Sequence, residues 1–386
     1  MSIISSFLEI FKVETAFNKR KEIYENGADN AYPELVDRLI KNSVTAKRCS
    51  KLVSSYVIGE GFGEEQNKMI VNEKKGLTLL QFGYDIAKTY TDQQGVFIHV
   101  NYSADLSVSE FSEIPYTHCR LGKSDDNDYS GKILVKKWND PYDKKDPIEF
   151  NVFNPRKDVV QAQIEAAGGI KKYRGQILFV NNSNLRYPLA TIDCALMDVE
   201  SENKVSVFKN VSLKKGFFGK TLVVTPPFVD GNMDQKTEEY QNAVSERENF
   251  KKTIQQFVGA ENSTGVLHLE MELDGDDIDK VIMFKNIETN INDELFKHTE
   301  ESIRDNICIS YGVPPMLISQ TEGSLFSSSG EAYTQMKLQV QESSAIDRRI
   351  ITETINKLLV LAGKQEVEIE LLITKEEIDD EVSNEE

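Results

Sequence analysis

Residues 257–273 read FVGAENSTGVLHLEMEL, and past the acidic turn DGDD and the apolar VIMF the chain reaches ISYGVPPMLIS at residues 309–319. In the first stretch Leu267, Leu269, Met271 and Leu273 alternate with His268, Glu270 and Glu272, the period of a strand with one wet face. Together with VIMF beyond the turn, this predicts a hairpin. A polar helix from about Met233 to Val258 precedes it, with Tyr240, Val244, Phe250, Ile254 and Phe257 on one broad face. A helix from about Asp293 to Tyr311 follows it; Gly312 ends that helix, and Pro314 and Pro315 prevent its continuation.

Upstream, Pro33 to Val57 predicts one long helix, because Leu35, Leu39, Val44, Leu52, Val53 and Tyr56 fall at roughly helical spacing and GEGFG stops it. Lys41, Lys47, Arg48 and Lys51 then occupy its wetter faces. A second helix, about Leu77 to Tyr90, runs into GVFIHVNY, where Val96, Ile98 and Val100 alternate with Phe97, His99 and Asn101 as in a strand. KILVKKW continues the β character, and GKSDDNDYSG before it has the composition of a hairpin loop. NPRKDVVQAQIEAAGG predicts a short helix stopped by Gly168 and Gly169, and RGQILFVNN a strand. Pro188 suits a first helical turn, so a helix is expected from there, with Leu189, Ile192, Leu196 and Val199 as an apolar seam fit to pack on another helix.

TLVV is a further strand. At the other end, Ser328 and Glu331 have capping-box spacing for a last long helix to about Ala362, with Met336, Val340, Ile350, Ile351, Ile355 and Leu358 inward and Gly363 as its stop. No repeat of fixed period occurs, and helices and strands do not alternate as in a doubly wound fold. The class is α+β with more helix than strand.

A chain of 386 residues has length for two or three domains. Its 63 acidic against 45 basic residues give a formal charge of −18, which disfavours a groove-coating DNA binder. Ten carboxylates and one lysine lie in Gln365–Glu386, so half of that charge sits in the tail and the body is only mildly acidic. The cysteines, Cys49, Cys119, Cys194 and Cys308, are too far apart for a CxxC knuckle and form no disulfide framework, which fits a reducing compartment. No apolar run reaches the ~20 residues that span a bilayer. The chain reads as soluble and cytosol-made, without a membrane segment.

Motifs for catalysis are missing. GFFGKT at residues 216–221 has two residues between its glycines where a phosphate loop needs four, and it leads into a strand rather than a helix; a turn is the better reading. From Asp274, the sixth residue of a calcium loop would be Asp279 where glycine is needed, and the twelfth Lys285 where glutamate is needed. His99, His118, His268 and His298 make neither HxxxH nor HExxH, and read as surface or satisfied structural histidines. No GxSxG elbow is present. Neither a cofactor, a metal nor a catalytic residue is indicated.

The succession of elements resembles the portal proteins of tailed bacteriophages, of the compact HK97-type family, whose subunits form a ring at one capsid vertex. The resemblance lies in the polar helix, the GAEN turn, the strands, the helix closing in GVPP with its short apolar patch, the serine-rich loop, the helix from SSGEAYTQMKLQV, and the early KNSVTAKRCSKLVSSYVIGEGF. It covers about Tyr32 to Gly363. By position it implies an N-terminal arm at 1–31, two halves of a wing at 32–155 and 212–319, stem helices at 156–168 and 188–211, and a clip at 169–187. It also implies a channel loop at 320–330, a crown helix at 331–363 and an acidic tail at 364–386.

The resemblance further implies a ring, usually of twelve subunits, that passes double-stranded DNA without reading its sequence. Its partners would be the terminase large subunit, a head–tail adaptor, and capsid and scaffolding proteins; its place would be the virion, after assembly in the host cytoplasm. Gln320, Glu322, Ser324, Phe326 and Ser328 would face the channel, and Leu189, Ile192, Leu196 and Val199 would pack between subunits. Two other readings stay open: another ring or adaptor protein of a virion, and a cytosolic enzyme whose acids and histidines converge only in the fold.

Overall fold

The structure is a computed structural model and describes residues 15–123, 131–140, 142–215, 221–225, 237–258, 266–270, 283–286, 293–318 and 330–373. A short ribbon, β1 (Phe17–Asn18) with β2 (Ile23–Tyr24), leads into α1 (Tyr32–Asn42) and α2 (Val44–Ile58). The single helix expected over these residues is thus two. Ser43 breaks it: its backbone is extended, and its hydroxyl accepts the Ala46 N–H at 2.9 Å, capping α2 rather than continuing α1.

The short α3 (Glu64–Asn67), β3 (Ile70–Asn72) and β4 (Leu77–Thr78) precede α4 (Leu79–Gln93). A reciprocal pair of bonds between Thr78 and Gln81 starts α4. Next come β5 (Gly95–Tyr102), β6 (Val108–Ile114), β7 (Cys119–Leu121), β8 (Lys132–Val135), β9 (Ile148–Val152), α5 (Lys157–Ala166) and β10 (Gln176–Asn181). The strands β7 and β8 pair antiparallel across the predicted hairpin loop, most of which lies outside the described residues.

These strands form one six-stranded sheet in the order β6-β5-β10-β9-β8-β7. In it β5 and β10 pair antiparallel over six residues, from Gln176 opposite Val100 to Asn181 opposite Gly95, while β9 joins β10 in parallel at Gln176 and Ile177. The alternation read in GVFIHVNY has a use on both faces. Val96, Ile98 and Val100 enter the large core with α2 and α4, and Phe97 turns to a second core with Tyr116, Ile133, Ile177 and Tyr187, stacked on Phe179 at 4.2 Å between ring centres.

The chain continues through α6 (Leu196–Lys215), β11 (Thr221–Thr225), α7 (Glu238–Val258), β12 (Val266–Glu270), β13 (Met283–Asn286), α8 (Asp293–Ser310), α9 (Pro315–Ile318), α10 (Gly330–Ser343) and α11 (Ala345–Leu361). The predicted hairpin of GVLHLEMEL with VIMF is not formed: β12 and β13 lie on opposite sides of β11. β11 runs parallel to β12, Thr221 opposite Val266, and antiparallel to β13, Thr221 opposite Asn286. TLVVT carries no charged residue and takes the centre, and α7 supplies the crossover that a parallel pair requires.

The last predicted helix is also two. Ser344, 3% exposed, lies between α10 and α11, and its N–H and hydroxyl both donate to the Val340 carbonyl, at 3.1 and 2.8 Å. The chain forms two compact units, one of residues 1–200 and 302–386, the other of residues 201–301. Ile303, Ile307 and Tyr311 of α8 and its end, and Ile351, Ile355 and Leu358 of α11, belong to the large core of the first unit. So do Val160 and Ile164 of α5. The segment boundaries implied at 156, 169 and 331 therefore do not separate compact units.

Candidate functional site

The apolar seam expected from Pro188 does not begin as a helix. Residues 188–192 are irregular, a single 3-10 turn covers Asp193–Ala195, and α6 starts at Leu196. Long-range bonds hold the irregular part. The Tyr187 hydroxyl donates to the Tyr24 carbonyl at 2.8 Å and accepts from Leu121 N–H at 2.6 Å, while Arg186 lies over the Tyr24 ring. Ala190 N–H donates to the Tyr32 hydroxyl at 3.1 Å, and the Thr191 hydroxyl donates to the Thr91 carbonyl at 2.5 Å. These bonds satisfy backbone and side-chain groups that a helix starting at Pro188 would have engaged differently.

Within this segment the four seam residues separate. Ile192 and Val199 are fully buried in this chain's own core, Leu196 is half-buried against it, and Leu189 is 38% exposed. The burial that the heptad-like spacing signals is met inside the subunit for Ile192 and Val199. What remains on the surface nearby is Leu189 and Met197; beside them in the fold, Asn306 of α8 donates to Asp198 at 3.3 Å, and Ile309, one turn further along α8, is 70% exposed.

The strand within the implied clip, β10, is hydrogen-bonded to β5 along its whole length and to β9 at its start, so it is a central strand of this chain's own sheet. Gly175 makes the approach possible: at φ +81° it lies against the Val100 carbonyl and Asn101, where a Cβ would collide.

The five channel-facing candidates, Gln320, Glu322, Ser324, Phe326 and Ser328, lie outside the described residues. α8 ends as the sequence predicts, with Val313 N–H on the Cys308 carbonyl and Gly312 N–H on the Ile309 carbonyl, both at 2.9 Å, and Gly312 in the left-handed region at φ +66°. Leu317 and Ile318 of α9 then pack against the large core. On the far side α10 is fastened to the C-terminal segment, Gln341 bonding both the N–H and the carbonyl of Ile373 at 3.1 and 3.0 Å.

Among the described residues no group of three His, Cys, Asp or Glu could hold a metal ion, and no helix is long and apolar enough to cross a membrane. His99 donates its Nε2–H to the Arg174 carbonyl at 2.6 Å and is lowered in pKa chiefly by burial; His118 is lowered by burial and by Lys137; His298 is exposed. GFFGK at 216–220 falls outside the described residues, with α6 before it and β11 after it, so a strand does follow. The reading of the sequence missed Arg120, which is fully buried. It is held by the Asn30 side chain and carbonyl, the Thr117 and Cys119 carbonyls, and Glu34 at 3.1 and 3.2 Å. No local pattern in CRL signals it.

No family model and no curated protein sequence matches the chain. Solved structures do. A chain from the neck of an empty gene transfer agent particle, computed with C6 symmetry, is 12% identical, and the match covers 99% of this chain and 92% of that one with a TM-score of 0.53. A chain from the neck of the native particle, computed with C12 symmetry, is 13% identical over the same shares with a TM-score of 0.50. An HK97 family phage portal protein from Corynebacterium diphtheriae matches at 9% identity over 78% of this chain and 82% of that one; its TM-score of 0.38 carries no weight here. At such identities the likeness is one of fold, and this chain shares along nearly its whole length the mixed helix-and-sheet fold found in that neck.

Proposed function

We propose that the chain is a portal protein, the head–tail connector of a tailed phage or phage-like particle, which forms a ring at one capsid vertex. The observation that carries this reading is the fold match over 99% of the chain to a protein of a particle neck, in a structure computed with sixfold or twelvefold symmetry. The independent succession of sequence elements, from the polar helix through GVPP to the last helices, points the same way.

In this reading the ring passes double-stranded DNA during packaging, retains it and releases it on infection. The mechanism is passive and the chain is not an enzyme. A ring of subunits at −18 each repels DNA at range, and few neutralised phosphates mean little drag, since each phosphate contact adds affinity. A separate terminase supplies the work of packaging, and adaptor, capsid and scaffolding proteins dock on the outer faces. Residues 320–330 supply the channel loop, with Gln320, Glu322, Ser324, Phe326 and Ser328 toward the DNA. Residues 169–187 form the clip, 331–363 the crown, and the exposed Leu189 the part of the stem seam that meets the next subunit. In a ring, each such contact is heterologous and closes by rotation.

Negative-stain electron microscopy of the purified chain over a range of concentrations, with light scattering for mass, tests the reading. Rings with an open axial hole wide enough for a duplex are expected. Rings without an opening would instead indicate an adaptor. Small compact oligomers at every concentration, stabilised by a metabolite-like ligand, would favour an enzyme.

A further inference from the structure

Four lysines from three helices line one cleft in the first compact unit: Lys41 at the end of α1, Lys47 and Lys51 one turn apart on α2, and Lys88 on α4. The cleft measures about 830 Å³, within the range of pockets that hold a nucleotide-sized group, and its lining includes Ile40 and the Pro115–Thr117 turn. Three carboxylates share it, and each is engaged. Asp37 is paired with Lys41 at 2.7 Å, Asp92 takes the Ser50 hydroxyl at 2.5 Å and Lys88 at 2.8 Å, and Glu113 accepts the Thr89 hydroxyl. Lys47 and Lys51 form no ion pair among the described residues. A chain of charge −18 thus presents, at one concavity, two ammonium groups without an anion.

We infer that this cleft is a binding site for a phosphate-bearing anion, with Lys47 and Lys51 as its principal contacts and Lys41 and Lys88 at its rim. An ammonium is a compact point charge with freely directed donors, suited to the tetrahedral oxygens of phosphate. The site stands on a single chain and does not depend on ring assembly.

Titration calorimetry on the full chain at low ionic strength provides the test, with pyrophosphate, a short blunt DNA duplex and oligoglutamate as probes. Pyrophosphate or duplex is expected to bind, and the double variant Lys47→Gln, Lys51→Gln to weaken that binding by about tenfold or more, as loss of two charge-assisted contacts implies. The control variant Lys144→Gln, Lys145→Gln, at two exposed lysines away from the cleft, should leave it unchanged. Binding of pyrophosphate identifies a free phosphate compound as the source, and binding of duplex alone identifies a nucleic-acid backbone. Oligoglutamate bound as tightly as pyrophosphate, equal affinities for both double variants, or no binding by any probe would overturn the assignment. Unfolding midpoints of the variants without probe, matched to the parent, show that the fold is intact.

Discussion

The Tyr32 hydroxyl donates to Asp193 Oδ1 at 2.5 Å across 161 residues of sequence, and the Tyr32 hydroxyl oxygen accepts the Ala190 N–H. This node joins the start of α1 to the turn that opens α6 and fixes the irregular path of residues 188–192. Burial and the bond to Asp193 push the phenol pKa well above its usual range, so it stays a donor at any working pH. Tyr32→Phe keeps the ring and strips the Ala190 N–H, in a residue 5% exposed, of its acceptor. A loss of about 1–3 kcal/mol in urea unfolding is expected; an unchanged midpoint would mean that the node contributes nothing.

Seam residues Ile192 and Leu189 should respond oppositely to the same substitution. Ile192→Asp buries a carboxylate in the core and is expected to cost about 3 kcal/mol or more, seen as loss of helical circular dichroism or a lowered melting point. Leu189→Asp should change the stability of the single chain by no more than about 0.5 kcal/mol. Rings abolished by Leu189→Asp with the chain still folded would place this residue at the contact between subunits; undisturbed rings would remove it from there.

Glu113 makes stability depend on pH. Burial, with Asp85 adding to it and the Thr89 hydroxyl, Lys88 and Lys75 opposing, raises its carboxyl from 4.5 to about 7. The folded chain therefore holds a proton that the unfolded chain has released, and this contribution is full below about pH 4.5 and is lost as the pH rises through about 7. Glu113→Gln should be more stable than the parent by about 1–3 kcal/mol at pH 8 and should show a flatter profile between pH 5 and 7. Parallel stability profiles for the two proteins would contradict the assigned shift.

Gly59 carries the C-terminal segment. It ends α2 at φ +57° and ψ −139°, and a Cβ there would collide with the Glu370 carbonyl, which accepts the Glu60 N–H at 2.9 Å. Gly59→Ala is expected to destabilise the chain by about 2 kcal/mol or more and to speed tryptic cleavage after Lys364, because it displaces residues 366–371. An unaltered digestion pattern would show that the segment is held elsewhere.

The thiols differ sharply in access. Cys49, Cys119 and Cys308 are buried, with the sulfurs of Cys49 and Cys308 at 3.8 Å, and Cys194 is exposed. Burial also pushes the Cys119 thiol far above its ordinary pKa. With a thiolate-selective disulfide reagent, one thiol should react quickly in the folded chain and all four after denaturation, and Cys194→Ser should remove the fast phase. Two or more fast thiols would mean that the helical core opens readily.

The sequence alone determined the local structure. Helix stops at Gly312 and Gly363, the alternation in GVFIHVNY, and the lack of catalytic motifs all rest on residues within a turn or a strand of one another, where propensity and spacing act directly. Even the order of elements was legible enough to suggest a portal-like fold. Tertiary structure decided what distant groups impose. Ser43 interrupts an apolar pattern that reads as continuous, because its hydroxyl caps α2, compatible with packing on both sides, and this outweighs helical periodicity. The partners of β11 are set by a parallel pairing across α7 rather than by the nearest turn. The path from Pro188 is set by Tyr32, Thr91 and Tyr24, all more than 90 residues away in sequence, and the lysine cleft exists only because three separate helices converge. Such contacts leave no trace in local spacing, since each partner residue by itself is an ordinary surface or core choice.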